Sequence, residues 1–291
     1  MQLSIVIITF NEEANLARTL ESVKPIVADG KGEIIVVDSG STDRTVEIAK
    51  SFGAKVFVEK WKGYAEQKNS ALDKATGDWI LSLDADEEVD ADAGAQIRQA
   101  LGAWETAFRL SDRLHADNFL PDTRTRPYID AFTAATGASP YTAGIYIRRR
   151  NLFLDRWMQH GGFWPDPKLR LFRRQAARFE QRLVHEDAQV KGATGTLVRG
   201  ALIHHSYPTL SDYVEHMNRY SSLSAEMVAA KGKIGFSVSK IVLRPLATFV
   251  YNYFFRLGFL DGREGLLLHL YHSVYVSWKY AKAWELSRKQ L

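Results

Sequence analysis

Six acidic residues crowd one short stretch of this chain: Asp84, Asp86, Glu87, Glu88, Asp90 and Asp92, directly behind the apolar run Trp79-Ile80-Leu81-Ser82-Leu83. If that run is a strand, Asp84 and Asp86 stand two apart and project to the same side, with only Ala85 between them. Paired carboxylates repel one another unless a cation neutralises them. Mg2+ and Mn2+ favour oxygen ligands, and Mg2+ is typically held by one or two carboxylates completed by phosphate oxygens. An Asp-x-Asp at the end of a buried strand therefore suits a clamp for a divalent ion carrying a diphosphate. The tripeptide alone is common in acidic loops, and its placement is what gives it weight. Glu87, Glu88, Asp90 and Asp92 are expected to form an acidic first helical turn, which the helix dipole favours.

The elements that would position this cluster lie upstream. "LSIVIITF", "EIIVVDS", "AKVFVE" and "DWILSLD" are short apolar runs. Between them come "NEEANLARTLESV", with Ala14, Leu16, Leu20 and Val23 at helical spacing, then "TDRTVEIAKSF", then a helix expected over 64–75. This alternation reads as βαβ units building a parallel sheet, whose strands are buried on both faces and do not alternate polar with apolar. Ligands of such sheets bind beyond the carboxyl ends of the strands. Polar residues gather there: Thr9, Asn11 and Glu12 after the first strand, Asp38 and Ser39 after the second, Asp84 and Asp86 after the fourth. Asn11 and Asp43 would serve equally well as helix caps. Capping does not account for Asp38, Asp84 and Asp86 together. No Gly-x-Gly-x-x-Gly follows the first strand, which disfavours a dinucleotide-binding dehydrogenase.

The 291 residues are 46% apolar and include no cysteine, so a folded protein without disulfides or thiolate metal sites is expected, as in a reducing compartment. The apolar run over 3–10 has no basic leader and is too short for a span, so it reads as a strand rather than a secretory signal. Residues 1–100 carry 11 Lys/Arg against 18 Asp/Glu, and residues 101–291 carry 27 against 16. That asymmetry suggests a cation in front and an anionic substrate or membrane surface behind. The basic half lacks a nucleic-acid-binding motif, so nucleic acid is not an expected partner. Residues 101–140 mix Pro, Gly and charge without period and read mostly as loop. Strand signals return over 144–147, 169–172 and 197–204, and a long helix over 210–230 opens an α-only tail. The expected domains are an α/β catalytic domain over 1–208, divided near residue 100, and a helical region over 209–291.

"SIVIITFNEEANLARTLESV", "EIIVVDSGSTDRTVEIAKSFGAKVF" and "YAEQKNSALDKATGDWILSLDADEEV" resemble the inverting, nucleotide-sugar-dependent glycosyltransferases of family 2, which have the GT-A fold. "GGFWPDPKLRLFRRQAARFEQRLVHE", "RGALIHHSY", "MNRYSSLSAE" and "RLGFLDGREGLLL" are similar to a narrower subgroup, bacterial β-glucosyltransferases that add a hexose to the lipopolysaccharide inner core. The stretch over 102–142 is longer than the subgroup's usual connection. The resemblance implies that Thr9 and Glu12 cradle the nucleoside, Asp38 reads the uracil edge or ribose, and Lys68 faces the base and diphosphate. It makes Asp84 and Asp86 the metal and ribose ligands. Lys68 could instead be a solvated helix residue, and Glu12 a helix N-terminal charge. The implied donor is a UDP-sugar, glucose first; the cofactor is Mg2+ or Mn2+, and the acceptor is an anionic glycolipid.

Transfer with inversion needs a base for the acceptor hydroxyl and compensation for the departing diphosphate. With the Asp-x-Asp given to the metal, the base lies elsewhere. The family places its acidic residue where this chain has "RLVHEDAQV", which makes Glu186 the first candidate and Asp187 the second. Asp166 is a third, although an Asp between prolines commonly forms a turn. His204 matches the subgroup's histidine and would reach the metal or diphosphate; a structural histidine fits equally. Arg170, Arg173 and Arg174 alternate with apolar residues as on an exposed strand face, and at least one is a candidate for binding diphosphate or an acceptor phosphate bidentately.

In the tail a stripe recurs every fourth residue, Lys240, Arg244, Thr248, Asn252 and Arg256, on an otherwise apolar surface. A second apolar segment over 266–278 shows His269, Ser273 and Ser277 at the same spacing. Neither reaches the roughly 20 apolar residues of a span. Pro245 is expected to start or kink the first helix. Both helices are expected to lie in the membrane interface, the alternative being a helical hairpin packed on the catalytic domain. The expected location is cytoplasmic, peripheral on the inner leaflet of the inner membrane. Two other readings keep the fold: an enzyme acting on capsule or a lipid-linked carrier, and a non-catalytic nucleotide- or glycan-binding scaffold.

Overall fold

The structure, a computed structural model, describes residues 2–30, 32–111, 125–137, 142–180, 188–230, 232 and 235–289. The first elements in chain order are β1 (Leu3–Thr9), α1 (Leu16–Val27), β2 (Gly32–Asp38), α2 (Thr45–Ser51), β3 (Lys55–Val58), α3 (Tyr64–Lys74), β4 (Trp79–Asp84) and β5 (Glu87–Val89). Then come α4 (Ala91–Ser111), α5 (Arg126–Thr136), β6 (Gly144–Ile147), β7 (Arg149–Phe153), β8 (Arg156–Trp157) and β9 (Lys168–Arg173). The remainder is β10 (Ala177–Phe179), β11 (Ala188–Val190), β12 (Thr194–Thr196), β13 (Leu202–Tyr207), α6 (Leu210–Ala229), α7 (Arg244–Val250) and α8 (Gly262–Lys289). Two compact units form: one takes the described residues up to 149 with those of 167–180 and 188–203, the other takes 150–166 and those from 204 onward.

The first unit is built on a seven-stranded sheet in the order β12-β6-β9-β4-β1-β2-β3. β4, β1, β2 and β3 run parallel to one another, while β9 runs antiparallel to both β4 and β6. Alternate residues of β1 explain its unbroken apolar sequence. Leu3, Ile5 and Ile7 enter one core with Leu16, Leu20 and Val23 of α1, whereas Val6 enters a second with Ala65, Ala71 and Leu72 of α3. Helices cover both faces, so of β1 only Ile8 is partly open to water.

Two expectations are corrected here. The 101–140 stretch is not mostly loop: α4 continues to Ser111, and Ala93, Ile97 and Ala100 recur at helical spacing in the first core. α5 has a proline in its first turn, buries Phe132 and Ala135, and stops at Gly137 with φ 62°. Alanines and threonines supply a weak hydrophobic period, which is why the sequence reads as aperiodic. The rest of that stretch lies outside the described residues. The second correction concerns Glu87, which belongs to a strand. α4 starts only at Ala91, where Asp90 Oδ1 accepts the Ala93 N–H at 2.7 Å and Asp90 Oδ2 accepts that of Ala201 at 3.0 Å. The strand expected over 197–204 resolves into β12, ending at Thr196, and β13, starting at Leu202.

The second unit pairs β7 with β8 through Leu152 opposite Trp157 and packs α6 along α8. Its core holds Phe153, Met158, Tyr213 and Leu268. α6 begins with a capping box: Thr209 Oγ1 accepts from the Asp212 N–H and Asp212 Oδ2 from the Thr209 N–H, both at 3.1 Å. The helical run expected from Lys240 is present, as α7 flanked by π-helical turns at Ser239–Leu243 and Tyr251–Phe255. Among the described residues no helix is long and apolar enough to cross a membrane.

Candidate active site

Strand register brings the predicted residues together. Thr9 lies opposite Asp38 across the β1–β2 pair, and Ile8 lies opposite Asp84 across β1–β4. The three strands therefore end level, on the edge where ligands of parallel sheets bind.

Asp38 is fully buried at this edge and saturated by the chain's own donors. Its Oδ1 accepts the Gly40 and Ser41 N–H groups at 2.9 and 2.8 Å, and its Oδ2 accepts the Ser41 and Thr9 hydroxyls at 2.5 and 2.8 Å. The turn depends on Gly40, whose φ of 91° an L side chain rarely adopts. The loops after β1 and β2 are stitched together in the same way. Asn11 Oδ1 takes the Thr42 N–H at 2.8 Å, Thr45 Oγ1 takes that of Glu12 at 2.7 Å, and Asp43 Oδ2 takes that of Glu13 at 3.1 Å. Asp43 Oδ1 also takes the Thr45 N–H at 3.0 Å, as a cap does. Asn11 is not a cap but a bridge between loops.

Asp84 is held by two cations. Lys68 Nζ donates to Oδ1 at 2.7 Å and Arg170 Nη2 to Oδ2 at 2.5 Å. Lys68 is buried, with its ammonium 5.4 Å from the centre of the Phe179 ring, so it is not a solvated helix residue. Arg170 is also buried, not on an exposed strand face, and its Nη2 reaches Glu87 Oε1 at 2.6 Å. Glu87, fully buried, accepts from Arg149 Nη1 at 3.2 Å and, through Oε2, from the Asp84 N–H at 3.1 Å. Burial alone would lower the Arg170 pKa, but Asp84 and Glu87 carry it above the ordinary guanidinium range. Charges desolvated this far persist only when paired and hydrogen-bonded.

Sequence reasoning missed Glu87 and Arg149. A signal was present: over 85–89, Ala85, Glu87 and Val89 alternate inward as a strand requires, which puts the carboxylate inside.

Arg173 and Arg174 are corrected as candidates for the diphosphate. Arg173 pairs with Trp79 at the start of β4, five residues before Asp84 and so about 16 Å away along the strand. Its guanidinium stacks 4.8 Å from Trp104 and 5.6 Å from Trp79, and Nε donates to Thr142 O at 3.2 Å. Arg174 Nε donates to Gly77 O at 3.0 Å, at the same far edge.

Asp84 is thus engaged by two cations, and the second carboxylate of the Asp-x-Asp lies beside it. Asp86 follows in the turn between β4 and β5. Burial raises the Glu12 pKa; the hydrogen bond from Asn15 opposes this, and repulsion from Asp86, Asp43 and Asp84 raises it further. Among the described residues no three His, Asp or Glu side chains converge on one point as a complete metal site would. A single carboxylate in an acidic setting does fit a hard cation whose other ligands are phosphate oxygens. Asp86 would hold such an ion.

In the second unit, Asn151 links Asp166 to His204. Asn151 Nδ2 donates to Asp166 Oδ2 at 3.1 Å, which turns its Oδ1 toward His204 Nδ1 at 2.8 Å. A carboxylate accepts only, so this amide orientation follows from the network, and an amide oxygen in turn demands a proton on Nδ1. In the neutral His204 ring, Nε2 is then the lone-pair nitrogen, suited to accept a proton or ligate a metal. Ser206 Oγ lies 2.6 Å from the same Nδ1. Glu186 and Asp187, the first candidates for the base, lie outside the described residues.

Residues 4–177 match the family described as "Glycosyl transferase family 2", and the chain belongs to it. It is a glycosyltransferase, and its mostly parallel sheet covered by helices on both faces is the GT-A fold. An uncharacterised glycosyltransferase of Rickettsia typhi is 30% identical over 298 residues, covering 99% of this chain and 88% of that protein. The lipopolysaccharide core biosynthesis glycosyltransferase LpsC of Rhizobium meliloti is 28% identical over 270 residues, covering 90% of this chain and 82% of LpsC. Among solved structures, glucosyl-3-phosphoglycerate synthase from Mycobacterium tuberculosis, in complex with Mn2+, UDP and glucosyl-3-phosphoglycerate, is 29% identical, with a TM-score of 0.30, over 35% of this chain and 38% of that one.

Proposed function

We propose that the protein transfers a hexose, glucose first among the candidates, from a UDP-sugar to a hydroxyl of an anionic glycolipid of the lipopolysaccharide inner core. The observation that carries the donor half is the level ending of β1, β2 and β4, with Lys68 and Arg170 buried against Asp84 beside the Asp84-Ala85-Asp86 turn. The acceptor half is supported by the alignment with LpsC along most of the chain.

In this reading Thr9, Glu12 and the loop that Asp38 holds in shape form the nucleoside cradle. Lys68 and Arg170 present fixed positive charge where the diphosphate gains negative charge as the glycosidic bond breaks. They are already oriented by Asp84 and Glu87, so they need not reorganise during the reaction. Mg2+ or Mn2+ held at Asp86 would supply further compensation of that charge. Glu186, with Asp187 in reserve, takes the proton of the acceptor hydroxyl as its oxygen attacks the anomeric carbon from the side opposite the leaving UDP. The enzyme would work in the cytoplasm, on the inner leaflet of the inner membrane.

The test is to supply purified protein and membrane extracts with a panel of UDP-sugars and Mn2+, reading the glycolipid by mass spectrometry. A hexose gained by the core from one donor is the expected result. Absence of transfer and of donor hydrolysis with every UDP-sugar would sink the proposal.

A further inference from the structure

The segment over 236–260 is apolar on both its inner and its outer side, which is unusual for a protein in water. On its inner side Pro245 is buried and Ile241, Thr248, Phe249, Asn252 and Tyr253 are half-buried, so the middle of the polar stripe, Thr248 and Asn252, faces the protein. On its outer side are large apolar residues: Leu246 is 59% exposed, Tyr251 58% and Phe255 75%, with Val242, Phe254 and Phe259 also exposed. A helix on a protein surface normally turns its apolar stripe inward. Monomers rarely show an apolar patch of this extent without a partner for it.

The segment is held in this orientation. Ser277 of α8 donates its hydroxyl to Ile241 O at 2.7 Å, and Gly161 donates its N–H to Arg256 O at 2.8 Å. The buried His269 ring lies where a Cβ on Gly161 or Gly258 would come within 2.0 or 2.3 Å of it, so both glycines let the chain close around that ring. Asp261 accepts the His160 N–H at 2.9 Å and pairs with the His160 ring at 2.8 Å, fixing the segment's end.

Charge indicates what covers the face. From 231 to 260 the sequence holds Lys231, Lys233, Lys240, Arg244 and Arg256 and no Asp or Glu. A second copy meeting this face would bring like charges together. A bilayer carrying anionic headgroups supplies phosphates for the cations and hydrocarbon for the side chains between them. We propose that the outer face of residues 236–260 is a monotopic docking surface for an anionic lipid bilayer, with Leu246, Tyr251, Phe254 and Phe255 entering the interface and Lys240 and Arg244 at the headgroups. This rests on the reading of a glycolipid acceptor and names the surface that brings the enzyme to it.

The test is flotation of the full chain with vesicles of phosphatidylcholine, alone or mixed with phosphatidylglycerol. The wild type should float with the mixed vesicles and less with phosphatidylcholine alone. Leu246→Glu combined with Phe255→Glu should lower partitioning about ten-fold or more, because two large apolar groups no longer enter the interface. Lys240→Glu should weaken the preference for anionic vesicles. Both positions of the double variant are exposed, so its thermal melt and its hydrolysis of UDP-sugar in vesicle-free buffer should match the wild type. A wild type that stays out of the mixed vesicles, or a double variant that floats equally well, overturns the proposal. So does a wild-type dimer in sedimentation that the double variant disperses without any vesicle binding, since that assigns the face to a second copy. Vesicle binding without donor hydrolysis would leave this surface standing while removing the enzymatic reading.

Discussion

The sheet edge of the first unit and the 236–260 segment of the second break the ordinary rule of burial in opposite directions. The edge buries Lys68, Arg170, Glu87 and Asp38, residue types that belong in water; the segment exposes leucine, tyrosine and phenylalanine, which do not. Each arrangement costs stability when the protein is alone. The edge recovers that cost internally, because every buried charge named has an opposite charge or hydrogen-bond donor within about 3 Å. Among the described residues nothing covers the outer face of the segment, and in the proposed reading a bilayer would supply the recovery. Buried charge at the edge and exposed apolar surface on the segment thus separate a preorganised cluster from a face that, in the proposed reading, a bilayer would cover.

The largest effect should come from breaking the preorganised network. Arg170→Met leaves Asp84 and Glu87 facing each other without their shared cation, and should cost about 3–5 kcal/mol in denaturant unfolding. A wild-type midpoint would mean that the cluster positions groups without holding the fold. Leu246→Ser on the outer segment should leave the midpoint unchanged, and a clear loss there would blur the contrast between the regions.

Asp86→Asn should keep the wild-type melt while donor turnover falls about a hundred-fold, the usual scale for losing one electrostatic contact to a developing charge. Calorimetric titration of Mn2+ sharpens this: binding should be weak without UDP, tighter with it, and lost in the variant. Tight metal binding to the nucleotide-free protein would count against a site at Asp86 that the nucleotide's phosphate oxygens complete.

A smaller effect is expected at Asn151. Asn151→Ala removes the amide that fixes the His204 tautomer, and nitrogen chemical shifts of labelled histidine should show the Nδ1–H form giving way to a mixture. With His204 in the metal or diphosphate role proposed for it, turnover should fall about ten-fold. Unchanged shifts would assign the tautomer to Ser206 instead.

Acid should act in two steps of modest size. Burial, then His272, lowers the His269 pKa to about 4 from 6.5, with Asp261 opposing and Arg256 adding to the fall. The unfolded chain therefore takes up this proton first, and stability drops as pH falls from about 6.5 toward about 4. Glu33 behaves as a paired carboxylate. Burial would raise its pKa, but Lys55, Ser4 and Thr76 bring it down to about 2. Its contribution is complete above about 4.5 and disappears as pH falls through about 2. Glu59, brought down to about 2 by hydrogen bonds from Lys62, Lys74 and Ser70, shares the lower window. Thermal melts against pH should therefore show both windows, and Glu33→Gln should shrink only the lower one.

Much of the catalytic half was legible because its signals are local. β1 to β4 and the helices between them follow from runs of Ile and Val and from the spacing of Leu16, Leu20 and Val23, and the buried strands require polar residues to gather at their ends. Long-range pairing was not legible. "KLRLFRR" shows three arginines that look alike, yet the antiparallel register of β9 sends Arg170 to Asp84 and leaves Arg173 beside Trp79 at the other end of the sheet. Glu87 looked like a helix-start charge because nothing adjacent in sequence announces the two arginines that meet it.

By itself, the sequence determined the α/β order of the first hundred residues, the three strand ends that carry the candidate site and the amphipathic character of the tail, since each depends on periodicity within a dozen residues. Tertiary structure decided which charges are paired and which side of the tail faces outward. Both depend on what the rest of the chain has already covered: Lys68 and Arg170 occupy the oxygens of Asp84, and α8 takes the polar middle of the 236–260 segment and leaves its apolar face uncovered.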